Sequence, residues 1–168
     1  MKKILKITLI IIAVPIVTAC TKGPAAYKKA YLDMPLQELL SSYSEAKKIQ
    51  KGPDDGGSEV DEYSLPPEGD VKRASYFFQN DLLIGMLIIY GKGADFDYLV
   101  KQLTLENGKP ILNKTIDNAS GANWRKPDSY IMLLNGITGT HIKLPIGEAD
   151  EIKPEEIVLI IAKRPDKK

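Results

Sequence analysis

The chain is poor in the residues that build catalytic and metal centres. It has one cysteine, Cys20, and one histidine, His141, among 168 residues. A single cysteine excludes an intramolecular disulfide and a metal site built from cysteine thiolates. A single histidine cannot complete a zinc site without such thiolates. We therefore expect no metal, no cofactor and no catalytic residue, and we predict that the protein is not an enzyme.

Two common sequence patterns of enzymes are also missing. The chain has no Gly-x-Ser-x-Gly nucleophile elbow, so we interpret His141 as a residue of a surface strand rather than as a catalytic base. Gly91-Lys92-Gly93 lies between a predicted strand and a predicted helix, but it lacks the spacing of a phosphate-binding loop. We interpret these glycines as a tight turn.

The chain carries no excess of charge of one sign. Lys2, Lys3 and Lys6 precede Cys20 and no acidic residue does, so residues 20–168 carry 20 basic and 22 acidic side chains, a net charge of −2. A weakly acidic domain does not attract phosphate backbones, so we predict no nucleic-acid partner. The length suits one domain with a modest core.

The N-terminal segment has the pattern of a signal peptide. Met1-Lys2-Lys3 is a short positive head, and residues 4–19 are apolar except for Lys6 and two threonines. The apolar core is shorter than the roughly 20 residues that a membrane-spanning helix needs, and small residues follow it. We therefore assign residues 1–19 to a signal peptide.

Val17-Thr18-Ala19-Cys20 resembles the lipobox of bacterial lipoproteins, with Val17 in place of the commoner leucine. The resemblance implies cleavage between Ala19 and Cys20 and a lipid on the Cys20 sulfur, which would anchor the protein to a membrane. Thr21 is not the aspartate that retains such proteins at the inner membrane, so the resemblance favours the outer membrane, in either leaflet. We expect residues 20–34 to be the lipidated cysteine and a tether, and residues 35–168 to be a single domain.

The sequence predicts two helices. Leu36, Leu39, Leu40, Tyr43 and Ala46 recur at helical spacing after Pro35, and Gly52-Pro53 would end this first helix. Asp95 is a good N-cap for the second helix, whose apolar face includes Phe96 and Leu103, and which Asn107-Gly108 would close. Between the helices we expect a solvated acidic loop at residues 51–70, because the spacing of its acids does not fit a calcium-binding loop.

The other apolar segments predict antiparallel strands. We expect strands at residues 71–78, 82–90, 111–116, 124–134, 140–144 and 157–162, with a two-residue turn at Asn80-Asp81, a loop at 117–122 and a hairpin signal at Asn135-Gly136. The run at residues 82–90 is nearly all apolar, which indicates burial on both faces. The predicted fold is α+β: a curved antiparallel sheet of five to six strands with two helices packed on one face.

Trp124, Arg125 and Tyr130 form the candidate partner-binding set. Tryptophan, arginine and tyrosine are enriched at the energetic centres of protein interfaces. The alternative is that Trp124 is a core residue that anchors the second half of the sheet, and this alternative is favoured.

The domain is similar to small envelope lipoproteins of the SmpA/OmlA type. The similarity rests on the lipid anchor, on the Met-Pro-Leu helix start at residues 34–36, and on the order of helices and antiparallel strands. It implies a non-enzymatic, lipid-anchored module of the cell envelope that binds another protein or supports an assembly. Two alternatives are a surface-exposed lipoprotein that binds host or matrix components, and a small-ligand carrier or enzyme with a cleft beside the sheet.

Overall fold

The computed structural model describes residues 29–53, 59–116, 119–136, 143–144, 147–148 and 152–164. Two helices and ten strands lie within these ranges. In chain order they are α1 (Leu36–Ser42), β1 (Lys47–Pro53), β2 (Glu59–Leu65), β3 (Val71–Gln79), β4 (Leu82–Tyr90), α2 (Phe96–Asn107), β5 (Ile111–Ile116), β6 (Ala119–Arg125), β7 (Ser129–Asn135), β8 (Lys143–Leu144), β9 (Gly147–Glu148) and β10 (Ile157–Lys163).

Eight of these strands form one sheet in the order β1-β2-β3-β4-β10-β7-β6-β5, and β8 and β9 pair separately. Every pair of neighbouring strands in the sheet is antiparallel. The predicted α+β class and antiparallel sheet are confirmed, whereas the predicted count of five to six strands is too low for the described part of the chain.

The centre of the sheet is buried on both faces. In β4, Met86 and Ile88 belong to one hydrophobic cluster, and Leu87 and Ile89 belong to a second. Successive side chains of a strand point to opposite faces, so the two clusters lie on opposite sides of the sheet. We call these sides the first and second face. The prediction that residues 82–90 are buried on both faces is confirmed.

The cluster on the first face includes residues from outside the sheet. Leu36 and Leu39 of α1 and Leu103 of α2 belong to it. So do Ala30, Leu32 and Met34, which are at most 7% exposed. Residues 30–34 are therefore part of the folded domain, although the sequence predicted a tether as far as residue 34. Packing begins before Pro35 because every second residue of this segment, namely Ala30, Leu32 and Met34, places an apolar side chain in the first-face cluster.

Local sequence signals locate α2 and the β3–β4 hairpin correctly. The Asp95 carboxylate accepts a hydrogen bond from the Tyr98 backbone N–H at 3.1 Å, as an N-cap does, and Gly108 follows the helix with a φ of 81°. Asn80 and Asp81 have φ values of 51° and 60°, the left-handed pair that a tight hairpin needs. Their predicted turn is confirmed.

The first predicted helix is too long. α1 ends at Ser42, and the residues from Lys47 onward form β1, which pairs with β2. The predicted acidic loop at residues 51–70 is also wrong, because β1 extends to Pro53 and residues 59–65 form β2. The two strands pair with each other at the edge of the sheet. Asp54 and Asp55 lie outside the described residues.

The predicted strand at residues 124–134 is in fact two strands. β6 ends at Arg125, and β7 begins at Ser129 after a turn in which the Lys126 N–H donates to the Ser129 carbonyl at 3.0 Å. β6 also occupies part of the predicted loop at residues 117–122. The predicted pairing across Asn135-Gly136 is wrong within the described residues, because β7 pairs with β6 and β10 while β8 pairs with β9.

Candidate functional site

Trp124 is a core residue. Its side chain lies in the first-face cluster and is 2% exposed. The indole N–H donates a hydrogen bond to the Gly108 carbonyl at 2.9 Å, directly after the end of α2. A buried indole cannot contact a partner, so the structure removes Trp124 from the candidate binding set and gives it the anchoring role that was the favoured alternative.

Arg125 and Tyr130 lie opposite each other on the second face. They are register partners across β6 and β7, and their neighbours Trp124 and Ile131 point to the first face. Directly opposed residues of an antiparallel pair have their side chains on the same side of the sheet. Arg125 is exposed. Tyr130 is half-buried against the second-face cluster, and this burial raises the pKa of its hydroxyl.

Asn123 and Met132 extend this pair along the two strands. They are also register partners, and each lies two residues along its strand from Arg125 or Tyr130. All four side chains therefore share the second face. The Asn123 Oδ1 atom is buried and has no hydrogen-bond partner among the described residues. Met132 packs against the second-face cluster. We call Asn123, Arg125, Tyr130 and Met132 the β6–β7 surface.

The β6–β7 surface combines polar and apolar groups. Arg125 offers several N–H donors, Tyr130 offers a hydroxyl, and Met132 offers a flexible apolar side chain. Tyrosine, methionine and arginine are enriched in protein interfaces. This chemistry suits binding to a protein surface.

A second candidate site is an acidic cavity at one end of the sheet. It has a volume of about 190 Å³ and is lined by Glu59, Asp61, Phe78, Asn80 and Asp81. The start of β2 and the β3–β4 turn form it, because Asp61 and Phe78 are register partners. Carboxylates from two separate stretches of chain therefore meet at one opening.

Asp61 is the most constrained carboxylate of this cavity. Its Oδ2 atom accepts a hydrogen bond from the Lys48 ammonium at 2.6 Å. That hydrogen bond is the main cause of a raised Lys48 pKa. The Asp61 Oδ1 atom is buried and has no hydrogen-bond partner among the described residues.

The cavity does not have the geometry of a metal centre. Across the described ranges, no group of three or more His, Cys, Asp and Glu side chains is placed to hold a metal ion. The sequence prediction missed this cavity because it treated the segment as a loop. The available signal was the set of apolar residues Val60, Tyr63 and Leu65 within an otherwise acidic stretch, since all three are buried.

Three predicted residues cannot be placed. Cys20 and Ala19, at the predicted cleavage and lipidation site, and His141 lie outside the described residues. Neither α1 nor α2 is both long enough and apolar enough to cross a membrane. The chain matches no protein-family model, no curated protein and no solved structure.

Proposed function

We propose that this protein is a lipid-anchored, non-enzymatic module of the bacterial cell envelope, held by a diacylglyceryl group on Cys20 after cleavage behind Ala19. The observation that carries the proposal is the order of a positive head, a short apolar run and the lipobox-like residues 17–20. Several acyl chains, at roughly 0.8 kcal/mol per buried methylene, would hold the domain firmly. The residue after the cysteine favours the outer membrane.

The start of the folded domain supports this proposal. Ala30 is fully buried and the Lys29 backbone N–H donates a hydrogen bond to the Tyr43 hydroxyl, so the folded domain includes residue 29 and at most residues 21–28 separate it from Cys20. A fully extended chain covers at most about 3.6 Å per residue, which gives this linker a reach of roughly 30 Å. The anchor would therefore keep the domain close to the bilayer.

We propose further that the β6–β7 surface binds a protein partner in the envelope. Both helices lie on the first face, because residues of each helix belong to the same cluster as Trp124 and Ile131. Arg125 and Tyr130 lie on the other face. Their surface is thus clear of both helices.

The acidic cavity favours a second candidate function, that of a carrier for a small cationic ligand. Its support is the acidic lining, which brings the carboxylates of Glu59, Asp61 and Asp81 to one opening. The bound group would be a primary or secondary amine, whose N–H groups can donate to two of these carboxylates. Its test is calorimetric titration with spermidine, and an Asp81→Asn variant should bind more weakly than the wild type.

Metabolic labelling with a fatty-acid analogue tests the anchor. The wild type should be labelled and Cys20→Ala should not, because lipidation consumes the only thiol. Labelling of Cys20→Ala, or its absence in both proteins, contradicts the proposal.

A photo-crosslinking amino acid in intact cells tests the partner. Placed at residue 125 it should give a discrete adduct, whereas at Gln37, an exposed residue of α1, it should not. An Arg125→Glu variant should lose the partner from co-purification. Equal crosslinking from residues 125 and 37 counts against the β6–β7 surface.

A further inference from the structure

α2 has apolar residues on its outer side as well as on its inner side. Leu103 is buried in the first-face cluster, and Phe96, Leu99 and Val100 pack against that cluster. Tyr98 and Leu105 are 58% and 74% exposed. The inner residues attach the helix to the sheet, but they do not account for the outer pair.

The outer apolar residues share one line along the helix. Residues seven apart differ by about 20° around a helix axis, so Tyr98 and Leu105 lie one above the other. Lys101 lies between them, within about 60° of Tyr98. This line points away from the side that carries Leu103, so the domain's own core cannot cover it. We call Tyr98, Lys101 and Leu105 the outer ridge of α2.

The anchored end of the chain meets the domain on the same side of the sheet as α2. Ala30, Leu32 and Met34 belong to the first-face cluster, as does Leu103. The linker between Cys20 and Lys29 reaches at most about 30 Å. A lipid on Cys20 would therefore keep the domain close to the bilayer with the chain entering on the face that carries the outer ridge.

We propose that the outer ridge of α2 rests in the interfacial region of the bilayer to which the Cys20 lipid holds the domain. This inference rests on the proposed lipid anchor and adds the orientation of the domain. Tyrosine suits the level of the lipid headgroups, leucine inserts below it, and the lysine side chain can lie along apolar surface while its ammonium stays hydrated. Lysine also pairs with anionic headgroups.

The size of the ridge favours a lipid surface over a protein partner. A stable protein interface buries about 800 Å² on each partner, and two large side chains provide much less than that. A membrane contact needs less area, because the lipid anchor supplies most of the affinity. Asp97 and Glu106 are about 80–100° around the helix from Tyr98, so their carboxylates can remain in water. The Asp95 carboxylate is engaged as the N-cap, where it accepts a hydrogen bond from the Tyr98 backbone N–H.

This orientation has a consequence for the proposed binding surface. If the first face is turned to the bilayer, the second face is turned away from it. Arg125 and Tyr130 would then face the aqueous space, where a partner can reach them. The lipid anchor and the outer ridge together would turn the β6–β7 surface toward the aqueous space.

The test uses the lipidated full-length protein in vesicles of phosphatidylethanolamine with a minor fraction of phosphatidylglycerol. An environment-sensitive thiol fluorophore is attached at Leu105→Cys, or at Arg125→Cys as the matched control on the second face. Both positions are exposed, so neither substitution removes a buried side chain. Emission maximum and quenching by spin-labelled lipids are measured after flotation of the vesicles.

The label at residue 105 should emit at a shorter wavelength and be quenched by the lipid probe, whereas the label at residue 125 should resemble the label in water. Equal, water-like emission from both labels on floating vesicles overturns the orientation but leaves the anchor intact. Quenching only at residue 125 also overturns it. If the wild-type Cys20 reacts with the fluorophore and the protein does not float, the anchor fails, and the orientation fails with it.

Discussion

Trp124 and Arg125 are neighbours in sequence and lie on opposite faces of the sheet, because successive side chains of a strand alternate. The residue types suggested one joint binding site, but alternation within a single strand already separates the buried tryptophan from the exposed arginine. In the predicted continuous strand, Arg125 and Tyr130 are five residues apart and would also point to opposite faces. The turn at residues 126–128, which the sequence prediction missed, divides that strand and brings the two onto one face. Arg125 and Tyr130 remain together because they are register partners.

Replacing Trp124 tests its role as a core anchor. Trp124→Phe removes the hydrogen bond to the Gly108 carbonyl and should lower the free energy of unfolding by about 1 kcal/mol, while Trp124→Ala should lower it by roughly 3–5 kcal/mol. Urea unfolding measures both. The control Arg125→Ala should change the stability by no more than about 0.5 kcal/mol. A larger loss in Arg125→Ala than in Trp124→Phe would contradict this placement.

Glu156 gives a pH-dependent prediction. Burial opposes ionisation of its carboxyl, but hydrogen bonds from the Lys72 ammonium and the Lys153 backbone N–H outweigh burial and lower the pKa below 4.5. A carboxyl with a lowered folded-state pKa stabilises the protein above its unfolded-state pKa, and this contribution disappears as the pH falls through the folded-state value.

The wild type should therefore be more stable than Glu156→Gln at neutral pH, and the difference should shrink as the pH falls below about 4.5. Because the Lys72 side chain is 55% exposed, solvent screening limits the difference to about 1 kcal/mol. Thermal unfolding from pH 7 to pH 3 measures it. Glu155→Gln, an exposed neighbour, is the matched control, and the same pH profile in both variants would count against the ion pair.

At the scale of elements, the sequence predicts best where local chemistry decides the structure. The Asp95 cap and Gly108 mark the ends of α2, and Asn80-Asp81 fixes the β3–β4 hairpin. The apolar runs of β4 and β10 are only nine and seven residues long, and this shortness, with their many β-branched residues, marks them as strands buried on both faces rather than as helices.

β1 could not be predicted in this way. It is an edge strand in which Lys47, Lys48 and Ile49 are all exposed, so no alternation of burial marks it as a strand. Lysines on an edge strand also discourage pairing with other chains. Its pairing with β2 forms only in the folded domain. Acidic residues stand among the apolar residues of β2, so the sequence of this strand resembles that of a solvated loop. The acidic cavity between β2 and the β3–β4 turn was missed with it.

The β3–β4 turn offers a test at this scale. Asp81 has a φ of 60°, which costs an L-residue more than it costs glycine. Asp81→Gly should raise the stability by roughly 0.5 kcal/mol, because Asn-Gly is the preferred pair for such a turn. Asp81→Ala should lower it by about 0.5–1 kcal/mol. Chemical denaturation measures the stability of both variants. An Asp81→Ala variant as stable as Asp81→Gly would contradict the turn geometry.

At the scale of the whole molecule, the described strands form two similar halves. α1 precedes β1-β2-β3-β4, α2 precedes β5-β6-β7 and β10, and the halves meet where β4 pairs with β10. The sequence shows no internal repeat, because the two halves use different residues to make the same order of elements. In the first half a two-residue turn joins the last two strands, whereas in the second half residues 136–156 join them.

The N-terminal boundary of the domain can be tested by truncation. A chain that starts at Pro35 lacks Leu32 and Met34, which are 7% and 1% exposed, whereas a chain that starts at Lys29 keeps both. Burying each side chain contributes about 1.5–3 kcal/mol, so the shorter chain should be less stable by at least about 3 kcal/mol. Equal unfolding midpoints in urea would show that the domain begins at Pro35 after all.

The proposed attachment of the domain to a membrane through lipid on Cys20 can be measured directly. The most direct measurement is the intact mass of the mature protein purified from membranes, compared with that of Cys20→Ala. The wild type should begin at Cys20, carry the mass of a diacylglyceryl group with or without a further acyl chain, and partition with membranes, while Cys20→Ala should lack the added mass. A wild-type protein that retains residues 1–19, or that begins elsewhere with an unmodified thiol, would contradict the claim.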